Sequence, residues 1–451
     1  MLNIAEVIEK NSETIVSLSP APESYIKLTE CVDKIPLTVD DHLQSTCKQP
    51  FEATGVFKYV VAEYKIAAEG EDIKKVYDLT LKTESAVTHR FNPGDTVGIL
   101  TKNFDYDVDA VLSQLKIDND RIYYQVEIDT ATKKKKAAIP PYIPSFIQIR
   151  KLLSECLDLR AIPKKLFINA LINYTSDDAE KRFLSILGNK CGNAFDDIVL
   201  KSRLNFVSLL SYIPSCKPTV ELLIEHLPRL MPRPYSIANL YDNSQQSTKI
   251  RVIFSLREPN PGLTTSFLEE CCINNATVFL YFRKSSSFSI AYDDLQRDVI
   301  MIGVGTGIAP YLGFLDQREL IINQGDKSLG RAWLFAGFRY ELRNYICREE
   351  IERYLKKTAL TSLSVAFSRD QNYACHYVQD QMEANKEDLV RILSSSNGKL
   401  FVCGDGKKVL PQVAKKIEEI MSEVLGISIE ESARLIIDNK KNGAYVEDIW
   451  L

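Results

Sequence analysis

The 451-residue sequence predicts an α/β chain with a β-barrel ahead of it. The expected layout is an antiparallel barrel interrupted by a helical insertion and followed by a doubly wound parallel sheet. Three observations carry this reading. Residues 76–81 and 122–128 alternate apolar and polar side chains, the period of a half-buried strand. Between residues 146 and 227 the apolar side chains recur at three- and four-residue spacing, the period of helices. From Asp298 to the end, short branched apolar runs alternate with helical patterns, the order that builds a parallel sheet.

Taken in order, residues 1–49 read as a short helix (Leu2, Ile4, Val7, Ile8) and a linker. Residues 50–145 and 228–297 supply the barrel. Pro93-Gly94-Asp95 turns into the strand Thr96–Leu100, and Ile250, Val252, Phe254 and Leu256 share one face of another. A short helix over Thr265–Cys272 and a strand over Val278–Phe282 complete it. The helical insertion spans 146–227, with Thr175-Ser176-Asp177-Asp178 as a helix start. The region 298–451 has expected strands at 299–302, 332–336, 363–367 and 400–402. Its helices are expected at 311–324, 348–357, 378–393, 409–425 and 429–439.

Composition narrows the function. The chain is 45% apolar and 26% charged, so it can bury a large core without staples. A net charge of −4 carries no nucleic-acid signal. No apolar run approaches the roughly 18 residues of a membrane span. Ten cysteines without CxxC spacing and four scattered histidines give no metal site, and free thiols in a reducing cytoplasm are the simplest account. The N-terminus, with Glu6, Glu9 and Glu13, resembles no secretory or transit leader. Lys133–Lys136 reads first as a solvated loop tip and second as a docking point for an acidic partner.

The chemistry concentrates at strand ends. Val299-Ile300-Met301-Ile302 runs into Gly303-Val304-Gly305-Thr306-Gly307-Ile308-Ala309-Pro310. That is a buried strand, a glycine turn and a helix start, which together suit an anion. Gly337-Phe338-Arg339, Ser368-Arg369-Asp370 and Cys403-Gly404-Asp405 follow the other expected strands. Ligands of such sheets sit at the carboxyl ends of the strands. Ser368 and Arg369 suit an extra monoester phosphate, Tyr377 can stack on adenine, and Gln379 can hydrogen-bond beside it. In the barrel, Arg233-Pro234-Tyr235-Ser236 joins a cation that can grip a pyrophosphate to a ring that can stack on a flat heterocycle. Gly262-Leu263-Thr264-Thr265 is a second glycine and hydroxyl cluster at a helix start.

R-P-Y-S, G-L-T-T, G-V-G-T-G-I-A-P-Y, L-F-A-G-F-R, F-S-R-D-Q, V-C-G-D and the terminal D-I-W together resemble the FAD/NADPH half of the diflavin reductases, the cytochrome P450 reductase family. The resemblance runs from about Pro50 to the C-terminus. It implies a ferredoxin reductase-like fold with FAD and NADPH as cofactors. The insertion fits, because the single-flavin ferredoxin–NADP reductases lack it. Residues 160–165, 174–177, 179–182, 214–216 and 225–228 are similar to the methionine synthase reductase branch. That branch implies methionine synthase as partner and reactivation of its cobalamin as purpose.

By this resemblance Arg233, Tyr235, Ser236, Gly262, Thr264 and Thr265 hold FAD, and Trp450 covers its ring. Gly303, Gly305, Thr306, Gly307, Arg339, Ser368, Arg369, Tyr377, Gln379 and Asp405 hold NADPH. Ser236, Cys403, Asp448 and Trp450 surround the site where hydride passes from nicotinamide C4 to flavin N5. Val304, Tyr311, Phe338, His376 and Leu451 depart from the family pattern. His376 stands where a basic residue is common, which weakens the expected grip on the 2′-phosphate. About 50 residues precede the barrel and hold no flavodoxin phosphate loop, so an FMN-containing flavodoxin-like domain or protein is expected as partner. Two other readings stay open: a reductase serving another flavodoxin-like or iron–sulfur acceptor, and a non-catalytic stabilising partner of methionine synthase.

Overall fold

The structure is a computed structural model that describes residues 2–31, 41–83, 89–119, 122–242, 244, 247–283, 288–291, 293–325, 328–395 and 397–450. Leu451 lies outside them. The chain forms two compact units, one from Met1–Lys48 with Leu100–Pro232, the other from Gln49–Ile99 with Arg233–Leu451. Its antiparallel strands are β1 (Ile26–Cys31), β2 (Phe57–Gly70), β3 (Ile73–Lys82), β4 (Thr96–Ile99), β5 (Tyr123–Ile128), β6 (Phe146–Gln148), β7 (Arg233–Ser236), β8 (Lys249–Ser255) and β9 (Thr277–Arg283). The parallel strands are β10 (Asp298–Val304), β11 (Ala332–Phe338), β12 (Ser362–Phe367), β13 (Gly398–Asp405) and β14 (Tyr445–Trp450).

The first unit is mostly helical. Phe167, Phe183, Leu184, Phe206 and Leu223 lie in one fully buried cluster with Leu152 and Leu153. Asp177 caps the helix Asp178–Leu187 by accepting from the Glu180 amide at 2.9 Å, which fixes the start that the Thr-Ser-Asp-Asp run announces. Two expectations change here. The N-terminal stretch is more than a helix and a linker, because Ile26–Cys31 is a strand. Tyr123–Ile128 joins no barrel; β5 pairs with β1 and β6 in a three-stranded sheet. Alternation identifies a strand but carries no information about its partner. Lys133–Lys136 is an exposed turn, with the Lys134 ammonium 3.5 Å from the centre of the Tyr25 ring.

His42 in this unit is buried and neutral by construction. Its Nδ1 accepts from the Gln44 amide at 3.1 Å, so Nε2 carries the proton and donates to the Thr101 carbonyl at 3.2 Å. Burial holds its pKa below the ordinary 6.5, against the pull of Glu155. A depressed folded-state pKa gives stability that is fully present above 6.5 and is lost as pH falls through the folded value. Urea midpoints followed by circular dichroism are therefore expected to be flat from pH 8 to 6.5 and to fall towards pH 5. In a His42→Gln chain, which keeps the donor and cannot protonate, that fall should flatten.

The second unit holds the other two sheets. The antiparallel one runs β7-β4-β9-β2-β3-β8. Its ends meet just past β7, where the Ala238 amide donates to the Arg251 carbonyl at 2.8 Å and Asn239 Oδ1 accepts from the Arg251 amide at 2.8 Å. This closes the sheet into a near-barrel around Leu79, Leu81, Val97, Ile99 and Leu280. Pro234 is tolerated because β7 is an end strand. The parallel sheet runs β12-β11-β10-β13-β14, with helices on both faces, so the doubly wound expectation holds. All seven residues of β11 are buried, as a central parallel strand requires.

Two details differ from the pattern read in the sequence. The expected helix 378–393 is two, Val378–Ala384 and Lys386–Leu393, parted at Asn385. The tail Tyr445–Trp450, unassigned from its period, is the fifth parallel strand. Tyr311, one of the expected departures from the family pattern, is fully buried, and its hydroxyl lies 2.8 Å from the Ile302 carbonyl and 3.1 Å from that of Phe401. Those two acceptors are why burying the hydroxyl costs little. Among the described residues no helix is long and apolar enough to cross a membrane.

Candidate functional site

The strand-end clusters converge on the carboxyl edge of the parallel sheet. β10 ends at Val304, Gly305–Ile308 form one 3₁₀ turn, and the helix Ala309–Asn323 follows. The glycines serve two different needs. Gly305 has φ +58°, open to glycine at no steric cost. Gly303 and Gly307 are needed for close approach. A Cβ at Gly303 would stand 2.7 Å from the Gly307 carbonyl oxygen, and one at Gly307 would stand 2.6 Å from the Cys403 carbonyl oxygen and 3.1 Å from Cη2 of Trp450. The turn is thus a cradle that any larger residue would fill, with half-buried Thr306 inside it.

Beside it, the ends of β11 and β12 are tied together. The Ser368 amide donates to the Phe338 carbonyl at 2.8 Å and the Arg369 amide to the Arg339 carbonyl at 2.9 Å. Asn344 accepts from the Arg339 and Tyr340 amides at 3.2 and 2.8 Å. Arg339 and Arg369 therefore leave adjacent strand ends side by side. Tyr377 follows, exposed, with its amide held at 2.8 Å by the Asp380 carboxylate. A Cβ at Gly337 would meet Val378 at 3.1 Å, so glycine there lets the helix carrying Gln379 approach the sheet. Gln379 lies 3.5 Å from Gln412. Asp405 has local work: its Oδ1 accepts from the Lys407 and Lys408 amides at 2.6 and 3.0 Å, shaping the turn before the helix Val409–Leu425.

The parallel sheet meets the barrel at Asp448. β14 pairs Asp448 with Cys403 and Trp450 with Asp405. One oxygen, Asp448 Oδ2, accepts from Ser236 Oγ at 2.8 Å and from the Cys403 thiol at 3.6 Å. Ser236 comes from β7, so three residues 45 and 212 positions apart are gathered at one atom. Burial and then the Asp448 charge push the Cys403 thiol well above its ordinary value, so it stays protonated. On β7, Arg233 is exposed and Tyr235 half-buried, its ring edge-on to Phe254 at 6.4 Å. Burial raises the Tyr235 hydroxyl pKa, against the nearby Arg233 charge, so it too stays neutral. The helix Leu263–Asn274 starts at Gly262 with no side-chain cap, so no capping side chain satisfies its first amides. Thr265 Oγ1 bonds the Gly262 carbonyl at 3.1 Å, and buried Thr264 Oγ1 has no partner among the described residues.

Known proteins match over the same regions. Residues 49–262 match the FAD binding domain family and residues 301–415 the oxidoreductase NAD-binding domain family. Methionine synthase reductase from Homo sapiens is 34% identical over 394 residues, which are 80% of this chain and 56% of that protein. The Mus musculus protein of the same name is 30% identical over 479 residues, covering 97% and 66%. NADPH–cytochrome P450 reductase from Salmo trutta is 29% identical over 409 residues, covering 90% and 64%. The chain belongs to the diflavin reductase family. It spans a little over half the length of the human relative. Its two matched regions are an FAD binding domain and an oxidoreductase NAD-binding domain, with FAD and NADPH as the cofactors, and the glycine cradle, the paired arginines and the exposed Tyr377 ring fit those groups.

Sequence reasoning passed over one residue that touches this site. Asp72, at the tip of the β2–β3 hairpin, contacts both Arg339 and Arg369. Nothing in the local sequence marks it, since a polar hairpin tip is ordinary.

Proposed function

We propose that this chain is the FAD- and NADPH-binding part of a reductase of the methionine synthase reductase type. In this reading it takes hydride from NADPH and passes electrons through FAD to an FMN-containing flavodoxin-like domain or protein, and cobalamin-dependent methionine synthase is the final recipient. The observation that carries the chemistry is the single Asp448 oxygen bonded to both Ser236 and Cys403, where barrel and parallel sheet meet. The branch assignment leans on the 30–34% identity to methionine synthase reductases.

Bound FAD and NADPH supply the hydride acceptor and donor; the protein positions them. Arg233 and the first amides after Gly262, with Thr264 and Thr265, would hold the FAD pyrophosphate, while Tyr235 would pack on the flavin. Gly303, Gly305, Thr306 and Gly307 cradle the NADPH pyrophosphate with Arg339. Ser368 and Arg369 take the 2′-phosphate, and Tyr377 and Gln379 take the adenine. Trp450, against Gly307, would shield the reacting face from water. Asp448 fixes the Ser236 hydroxyl and the Cys403 thiol in one orientation and balances positive charge that develops there. All ten cysteines are free, which favours a reducing compartment such as the cytoplasm.

The test has two stages. Purified chain with FAD should be yellow and should oxidise NADPH with ferricyanide. Methionine synthase should then be reactivated by NADPH only when an FMN domain is added. Turnover with ferricyanide but no reactivation in either mixture would redirect the proposal to another acceptor. A chain that never binds FAD would sink the reductase reading altogether.

A further inference from the structure

The β2–β3 hairpin does more than complete the barrel. Its pairing ends at Gly70 opposite Ile73, leaving Glu71 and Asp72 as the tip. Asp72 takes φ +64°, a left-handed conformation that aspartate tolerates better than most residues. The tip reaches the ends of β11 and β12. The Asp72 carboxylate is ion-paired with Arg369, and its Oδ1 lies 3.8 Å from Nη1 of Arg339. The Tyr340 hydroxyl donates to Asp72 Oδ2 at 3.2 Å. The Asp72 carbonyl accepts from Arg339, and the Glu71 carbonyl accepts from Nη2 of Arg343 at 2.6 Å. One carboxylate and two carbonyls therefore answer three arginines.

None of these contacts is needed to pair the strands. Two guanidinium groups on adjacent strand ends repel, and an anion between them relieves that repulsion. Here the anion belongs to the chain. Asp72 and Arg369 remain 46% and 41% exposed at the side chain, so a solute can reach the pair. A phosphate monoester brings nearly two charges and three acceptor oxygens, against one charge and two oxygens on the carboxylate. Arginine prefers such a partner by geometry as well as charge.

We infer that Asp72 is an internal competitor for the 2′-phosphate of the nucleotide: the hairpin tip holds Arg339 and Arg369 in place when no nucleotide is bound and has to withdraw from them when it binds. The inference rests on the reading of Ser368 and Arg369 as the 2′-phosphate site. It makes Asp72 a specificity-determining residue, because its direct ion pair is with Arg369, so it weakens nucleotides that carry the 2′-phosphate more than those that do not. The expected grip, already weakened by His376, is lowered again from the opposite side.

The test is calorimetric titration of the FAD-loaded chain with 2′,5′-ADP and with 5′-AMP. Asp72→Asn should bind 2′,5′-ADP about fivefold tighter, the upper range for one exposed ion pair, with a smaller gain for 5′-AMP. In the unaltered chain, 2′,5′-ADP should speed amide hydrogen exchange at residues 70–73, because the tip loses its anchors. An Asn variant that binds 2′,5′-ADP no tighter, or slowed exchange at the tip, would overturn the inference. Arg369→Ala separates the two levels. If it binds 2′,5′-ADP as well as the unaltered chain does, the phosphate-site reading itself has failed. If it loses that binding while Asp72→Asn gains none, only the competitor role has failed.

Discussion

Asp448→Ala is expected to lower NADPH-driven ferricyanide reduction by about 10²-fold, the loss typical of one preorganised polar group at a reacting centre. The reason is the shared oxygen. Removing it frees the Ser236 hydroxyl and strands the buried Cys403 thiol without its acceptor. FAD content should be unchanged, because Arg233, Tyr235 and the helix after Gly262 lie on other elements. Ser236→Ala should cost less, since Asp448 keeps its place in β14. The thiol adds a check on pH. It is held protonated by burial and by Asp448, so turnover should show no thiol-dependent limb up to pH 9. A limb between pH 7 and 9 that disappears in Cys403→Ser would contradict a neutral thiol. An Asp448→Ala chain within about threefold of normal turnover would remove Asp448 from the reaction.

Arg251→Met is expected to destabilise the second unit by about 3 kcal/mol, the lower end for a buried charge left without its partner. Arg251 leaves β8 and grips two carboxylates. Its Nε and Nη2 bond Asp78 at 2.7 Å each, and its Nη1 and Nη2 bond Glu350 at 2.8 Å each. Asp78 is on β3 and Glu350 on the helix Arg348–Lys356, so one guanidinium spans barrel and nucleotide domain. The Asp78 side chain is only 5% exposed, and Lys65 at 3.4 Å softens its loss without replacing two bonds. Burial works against the Arg251 charge, but the hydrogen bonds to Asp78 and Glu350 win and raise its pKa. Burial likewise opposes the Glu350 charge, yet the bond to Arg251 lowers its pKa below 4.5. That part of the stability is present above 4.5 and is lost as pH falls through the folded value. Both tryptophans, Trp333 and Trp450, lie in this unit, so denaturant unfolding followed by their fluorescence reads it alone. Replacing all three partners, Arg251→Met with Asp78→Leu and Glu350→Leu, should recover most of the loss. A single variant as stable as the original would show that the network contributes nothing.

Much of this was legible in the residues. The glycine turn, the arginines at strand ends and the alternation of strands and helices each follow from local spacing, and the structure realises them as the carboxyl edge of one sheet. What stayed hidden depends on distant partners. Tyr445-Val446-Glu447-Asp448-Ile449-Trp450 neither alternates nor repeats, because β14 is an end strand with only part of it buried. Its identity as a strand is fixed by pairing with β13, and only that pairing brings Asp448 to Cys403. Tyr123–Ile128 has the right period for a barrel, yet its partners are β1 and β6. Asp72 is an ordinary turn acid until the arginines across from it are placed.

The interleaving of the two units bears on how the chain is made. Ile99 at the end of β4 pairs with Arg233 at the start of β7, so the polypeptide departs from the barrel and returns to it at neighbouring positions. Everything between, residues 100–232, belongs to the other unit, as do residues 1–48. A ribosome delivers the helical unit complete before β7, β8 or β9 exists. β2 and β3 can zip as a local hairpin in the meantime, but β4 waits beside them without either neighbour. An emerging chain thus carries unpaired strand edges through the translation of more than a hundred residues, the interval in which such edges are most prone to mispair. Slow translation or scarce chaperone should therefore lower the yield of the second unit first, while the helical unit, complete earlier, escapes.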